Sequence, residues 1–305
     1  MTLHESLIDA RWLAARQREA AADAAPGPVV LDATALLPAP AFDGDYRLES
    51  GFEAWREAHI PGSRHADLVH GFSDHTAPRH FTRLDPQALA ALLGQHGIGP
   101  ETDIVLYDNG GGVWATRLWW QLRAVGVPAA VLDGGLAAWR EAGLPVASGD
   151  DAGERSDAPS VLPLTLAPRD DAWADIDEVA AIGSGEAPGT LVCALGRDQF
   201  EGTAPTRYTR RGHIPGSLNV PARSIVEPAT GLLAADANLR AAVGPLLDAP
   251  GPIVAYCGGG ISATLLALGL VRAGREDVSI YDGSLEEWTA DPARDVASGG
   301  LGGPG

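Results

Sequence analysis

Cys257 closes an apolar run in PIVAYCGGGISAT, residues 252–264, and is followed by Gly258, Gly259, Gly260, Ile261, Ser262 and Ala263. A free cysteine ionises near pH ~8.5, so only a few per cent is thiolate at neutrality. The thiolate is the nucleophile. A helix start stabilises it, because the first N–H groups there lack partners and the dipole is positive. Ser262 and Ala263 open a helix-like stretch. Three glycines can adopt left-handed angles and curl their amides round Sγ as an anion nest. The pattern points to covalent sulfur chemistry on a thiolate or a persulfide. The competing reading is a buried structural thiol before an ordinary glycine turn.

An internal repeat weighs between the two. IVLYDNGGGVW at 104–114 answers IVAYCGGGISA at 253–263, and VLDGGLAAW at 131–139 answers SIYDGSLEEW at 279–288. Ile104/Ile253, Tyr107/Tyr256, Asp133/Asp282 and Trp139/Trp288 share one offset of 149. HIPGS stands at 59–63 and again at 213–217, an offset of 154. Such a period means two copies of one domain, since solenoid units run to ~20–50 residues. In the first copy the cysteine position is Asp108. An apolar core site does not accept a carboxylate cheaply, whereas the mouth of a loop does.

The elements that must hold this loop alternate. PVVLDAT (28–34), DIVLYD and AAVLDGG in the first copy read as short buried strands, as do GTLVCAL (189–195), PIVAYC and VSIYDG in the second. DPQALAALLGQHG (85–97), VWATRLWWQLRAVG and ISATLLALGLVRAG carry helical spacing and end at glycine. The expected fold is α/β: two similar domains, each a mostly parallel sheet with helices on both faces. Ligands sit beyond the carboxyl ends of the strands of such sheets, which is where Cys257 falls.

Composition narrows the chemistry. A formal charge of −18 argues against nucleic acid and anionic membrane partners. All 22 cations are arginine, which excludes a Schiff-base lysine and a Gly-Lys-Ser/Thr phosphate loop. Two cysteines make neither a disulfide framework nor a four-cysteine zinc site. The first residues show no basic segment before an apolar core, and no apolar run is long enough to span a membrane. The expectation is a reduced, cytoplasmic protein.

The CGGGISAT loop, the paired HIPGS segments, the DGGLAAW and DGSLEEW segments and the Asp at the other cysteine position together resemble the rhodanese superfamily. The match is to its tandem-domain sulfurtransferases for thiosulfate and 3-mercaptopyruvate, over about residues 25–146 and 171–296. The resemblance implies a silent first domain at 1–146, a linker at 147–170, a catalytic domain at 171–296 and a flexible tail at 297–305. It implies that Cys257 takes sulfur from a small anionic donor as a persulfide and passes it to cyanide or a thiol, thioredoxin among them. No metal or organic cofactor is implied. The loop is nearer to the mercaptopyruvate type, Cys-Gly-Ser/Thr-Gly-Val-Thr-Ala, with Gly259 where a hydroxyl is usual.

Several family positions carry over. Gln199 stands where a substrate-anchoring arginine belongs, and Arg197 or Arg207 is expected to compensate. A neutral Gln cannot form the charged fork that Arg makes to an anion. His80, in SDHTAPRHFTR, matches a histidine that reaches the active site across the domain interface, and Asp67 matches an acidic position that would assist proton transfer. His59 and His213 are expected to be structural, since both copies have them, and Cys193 is expected to be a buried thiol. Two rival functions remain. A Cys-x5-Arg phosphatase would need arginine where Ala263 stands, and a non-catalytic binding role is favoured by Gln199 but disfavoured by Cys257 with its glycines.

Overall fold

Apolar tetrapeptides flanked by turn residues form the inner strands of two five-stranded sheets. In the first half the strands are β1 (Leu7–Ile8), β2 (Val29–Asp32), β3 (Ala35–Leu36), β4 (Glu49–Ser50), β5 (Arg64–His65), β6 (Ile104–Tyr107) and β7 (Ala130–Leu132). In the second they are β8 (Trp173–Ala174), β9 (Thr190–Cys193), β10 (Leu218–Asn219), β11 (Ile253–Tyr256) and β12 (Val278–Tyr281). The structure is a computed structural model that describes residues 6–149 and 163–299.

The sheet orders are β1-β7-β6-β2-β5 and β8-β12-β11-β9-β10, with every pairing parallel. The repeat seen in sequence is therefore a repeat of topology, and the expected α/β architecture is met. β3 and β4 form a separate antiparallel ribbon. The central strands β6 and β11 are buried along their whole length, as parallel strands covered on both faces must be. On β11, Ile253 and Ala255 join one core while Val254 and Tyr256 join another.

The helices are α1 (Ala10–Ala22), α2 (Phe52–Glu57), α3 (Pro86–Gln95), α4 (Val113–Ala124), α5 (Gly135–Glu141), α6 (Ile176–Ser184), α7 (Arg197–Phe200), α8 (Asp236–Leu247), α9 (Ser262–Arg272) and α10 (Ser284–Ala290). Asp85 caps α3 through Gln87 N–H at 2.9 Å with Pro86 as first helical residue, an arrangement its sequence announces. α4 and α9, the helices that follow the two glycine loops, pack against each other. Their apolar sides belong to one core that continues from one domain into the other. No described helix is long and apolar enough to cross a membrane.

Both HIPGS segments clamp the central strands. Tyr107 Oη accepts from Ile60 N–H at 3.2 Å, and Tyr256 Oη accepts from Ile214 N–H at 3.0 Å and donates to Ser217 Oγ at 2.9 Å. His59 and His213 contact the backbone oxygens of Trp55 and Phe200 through Nδ1, each at 2.8 Å, and stack on those same rings. Their work is structural.

The structure adds detail at the edges of the expected domains. At the proposed linker, Ala147 pairs with His59 at 2.9 Å in both directions, and Ala167 and Arg169 donate to Val125 and Ala124 at 2.9 and 2.8 Å. Both described ends of residues 147–170 are thus tied to the first domain, and residues 150–162 lie outside the described residues. Ala297 makes the matching bridge with His213, and Gly299 donates to Glu201 O at 2.9 Å, so the tail is anchored to 299. The stretch before Ala25, for which no element was expected, forms the edge strand β1 and α1, capped by Asp9.

Candidate active site

Tyr256, held by the second HIPGS segment, is the last residue of β11, so Cys257 begins the loop at the carboxyl end of the central strand. It lines a cavity of about 890 Å³ together with Gly258, Gly259, Ile261 and Ser262. The opposite wall is supplied by the first domain, through Tyr46, Phe81, Asn109, Gly110, Val113 and Trp114. Cys257 is 2% exposed and lines this cavity.

The expected amide cradle exists, but in the first copy. Asp108 accepts from the N–H groups of Gly110, Gly112, Trp114 and Ala115 at 2.7–2.9 Å. Gly111 and Gly112 both take positive φ, +76° and +89°, to aim these amides. In the second copy Gly260 keeps this geometry at φ +75°, but the next position is Ile261 at φ −91°. A branched side chain resists the left-handed region, so the loop turns otherwise. Among the described residues no hydrogen bond reaches Cys257 Sγ. The N–H groups of Cys257 and Gly260 go instead to Ser284 Oγ, both at 3.1 Å. The cradle predicted for Gly258–Gly260 is corrected accordingly: Gly260 serves a serine hydroxyl, not the sulfur.

Ser284 itself sits at φ +48°, a conformation that costs a non-glycine residue about 1–3 kcal/mol. The first copy has Gly135 here, where a Cβ would lie 2.1 Å from Asp108 O. Ser284 Oγ also donates to Tyr281 O at 2.8 Å. The strained serine thus ties the base of the Cys257 loop to the end of β12.

A second support comes from the first domain. Arg117 is fully buried in α4. It donates to Gly260 O at 3.2 Å, to Phe81 O at 2.5 Å and to Asp282 Oδ1 at 2.6 Å. One guanidinium therefore joins the Cys257 loop, the segment 79–83 and the DGSLEEW turn. Tyr208 packs against the loop so closely that a Cβ on Gly258 would lie 1.7 Å from its Oη, which makes glycine obligatory there. Burial pushes the Tyr46 and Tyr208 phenols well above their ordinary value, and charge at Glu286 and Cys257 adds to this, so both stay protonated beside the thiol.

The residues carried over by resemblance separate into three groups. Gln199 and Arg207 line the cavity. Arg207, however, spends Nη2 on the carbonyls of Pro38 at 2.6 Å and Leu37 at 3.4 Å, and so clasps the first domain. His80 does cross the interface: its Nδ1 lies 2.7 Å from Glu286 Oε1, and its ring stacks on Tyr46 at 3.9 Å. Arg197 and Asp67 are not brought to the site. Arg197 pairs with Glu201 at 2.7 Å with its side chain 80% exposed, the ordinary i,i+4 pair of a short helix. Asp67 is taken by its own turn, accepting from Ser50 Oγ, Val69 N–H and His70 N–H at 2.8–3.1 Å, with His70 Nδ1 at 3.0 Å. Burial acts to raise its carboxyl, but these hydrogen bonds outweigh it and hold the group below its usual value.

Sequence reasoning missed Arg117, Ser284, Glu286, Tyr46 and Tyr208. Signals existed for three. Arg117 is a charge in the middle of a largely apolar helix, while Ser284 and Glu286 replace Gly135 and Ala137 between otherwise matching segments.

Cys193 is fully buried in the last position of β9, and desolvation pushes its thiol up to about 12. The two thiols should therefore respond differently to iodoacetamide. The native protein is expected to carry one adduct, on Cys257, and peptide mapping that finds Cys193 labelled at a similar rate would contradict this assignment.

The Rhodanese-like domain model matches residues 20–142 and 197–291. The chain is 33% identical to the 3-mercaptopyruvate sulfurtransferase of Homo sapiens, over 98% of this chain and 97% of that one. It is 32% identical to thiosulfate/3-mercaptopyruvate sulfurtransferase 1, mitochondrial, of Arabidopsis thaliana, over 96% and 78%. The crystal structure of the 3-mercaptopyruvate sulfotransferase SseA from Escherichia coli superposes with a TM-score of 0.74 at 28% identity, covering 93% of this chain and 99% of that one.

Proposed function

This chain belongs to the rhodanese family and is a sulfurtransferase, and from that premise we propose that it moves sulfane sulfur through a persulfide on Cys257. The observation that carries the assignment is positional. Cys257 follows the central strand at the floor of a cleft built by both domains, where the other copy holds the carboxylate of Asp108.

The Cys257 thiolate attacks the outer sulfur of 3-mercaptopyruvate or thiosulfate, forming an S–S bond. The C–S bond of mercaptopyruvate breaks to leave the enolate of pyruvate, which takes up a proton; from thiosulfate the S–S bond breaks and sulfite departs. A thiol acceptor, as its thiolate, or cyanide then attacks the outer sulfur of the persulfide and regenerates the Cys257 thiolate. No step needs an external oxidant. This is double-displacement covalent catalysis.

The protein's share is placement and exclusion of water. Ser284 and Arg117 fix the loop from below, Tyr208 fixes it from the side, and the first-domain wall covers it. His80 and Glu286 stand at the domain junction, with Glu286 Oε2 3.4 Å from where a Cβ on Gly259 would lie, so a carboxylate borders the position of the missing hydroxyl.

Incubation with each donor, followed by intact mass, tests the reading. The wild type is expected to gain one sulfur, mapped to Cys257, and to lose it on addition of cyanide with thiocyanate released. No gain from either donor would favour the non-catalytic binding role instead.

A further inference from the structure

The geometry points to Arg223 as the residue that binds the anionic end of the sulfur donor, in place of the arginine absent at position 199; this rests on the sulfurtransferase reading. Each other cation near the cleft is committed. Arg197 is paired with Glu201, Arg207 holds Pro38 and Leu37 carbonyls, and Arg117 lies buried beneath the loop. Arg210 is bound to four backbone oxygens of the segment 288–294, and Arg211 to Asp43. Arg223 also lines the cavity of Cys257 and is exposed, and among the described residues its guanidinium makes no hydrogen bond or ion pair.

Its backbone is well fixed for such a role. Arg223 lies in the short 3-10 turn Ala222–Ile225, just past the carboxyl end of β10. Ala222 and Ile225, its buried anchors, hold the turn to the core, and Ala222 N–H donates to Ala194 O at 2.9 Å. The guanidinium reaches toward the first domain: Nη1 stands 3.8 Å from where a Cβ on Gly111 would lie. It thus stands beside the glycine loop of the first copy, in the wall of the cavity that Cys257 also lines.

The charge around the cavity makes this cation decisive. The charged side chains lining it, besides Cys257, are Asp198, Arg207 and Arg223, the phenols of Tyr46 and Tyr208 being held neutral. Without Arg223 the remaining Asp198 and Arg207 cancel, and an anion entering a protein of net charge −18 finds no local attraction. A planar, permanently charged guanidinium with free donors suits a carboxylate or the sulfonate-like end of thiosulfate. The shared chemistry is one anionic oxygen cluster attached to a transferable sulfur.

The test is steady-state kinetics of Arg223→Ala with 3-mercaptopyruvate and with thiosulfate, each donor in its own arm. Expected is a rise in KM of about 10- to 100-fold for the donor or donors that Arg223 holds, with kcat within about twofold, as one charge-assisted contact is lost. Arg223→Lys should recover part of the loss, and Gln199→Arg in the Arg223→Ala background should recover more by restoring a cation on the other wall. A KM within twofold of wild type for both donors overturns the anchor while leaving the transferase reading intact. Wild-type protein that acquires no sulfur from either donor overturns both. Melting curves that coincide for wild type and Arg223→Ala exclude unfolding as the cause of a raised KM.

Discussion

Cys257→Ser is expected to lose sulfur uptake from either donor, with transfer to cyanide falling by about 10⁴-fold or more. The reason lies in bonding before it lies in acidity. A hydroxyl cannot form the S–S bond that holds the transferred atom, so there is no intermediate for an acceptor to attack. Serine should cost little in stability, since the side chain is close in size and faces the cavity that Cys257 lines. Intact mass and thiocyanate release measure the result, with Cys193→Ala as the control for the only other thiol. A serine variant above a hundredth of the wild-type rate would move the chemistry to another group. The prediction is sharper because Asp108, in the parallel position, shows what the same loop holds when it has no transferable atom.

The second large effect belongs to Arg117. Arg117→Met strips the partner from Asp282 Oδ1 and from the carbonyls of Gly260 and Phe81, all near the domain junction. Removing one member of a buried charged pair costs about 3–5 kcal/mol, because the other charge stays desolvated. For a chain of this size that lowers Tm by about 10 °C. Activity should fall further than stability explains, since the Gly260 carbonyl is one of the ties that shape the nucleophile loop. Assayed well below its melting temperature, the variant should take up sulfur more slowly. Arg117→Lys should recover part of the stability but not the fork to three oxygens. Wild-type Tm and wild-type rate in Arg117→Met would remove this residue from any role in holding the site.

Much of the fold was legible because the chain states it twice. The shared offset of 149 ties the central strands, the glycine loops and the following helices of both halves together, and identical sheet orders follow. Tyr107 and Tyr256 were visible as repeats, though only the structure shows that HIPGS clamps their hydroxyls. The site was less legible, for reasons that differ by residue. Asp67 and His70 stand three apart, so their pairing was open to local reasoning. Arg197, Arg207 and Arg211 sit in one arginine-rich stretch and look alike in sequence. Their fates are decided by Glu201 nearby, and by Pro38 and Asp43 more than 160 residues away. The amide cradle failed for a reason of one residue: Ile261 replaces a left-handed glycine.

The continuous core beneath α4 and α9 bears on how the chain is made. A duplicated domain ordinarily yields two halves that can fold one after the other. Here the amino half, once synthesised, still presents the apolar side of α4 to water, because the surface that covers it has yet to leave the ribosome. Its last step of maturation must wait for α9, late in translation, and until then that helix is a place where holding chaperones can grip and where neighbouring nascent copies can cross-pair.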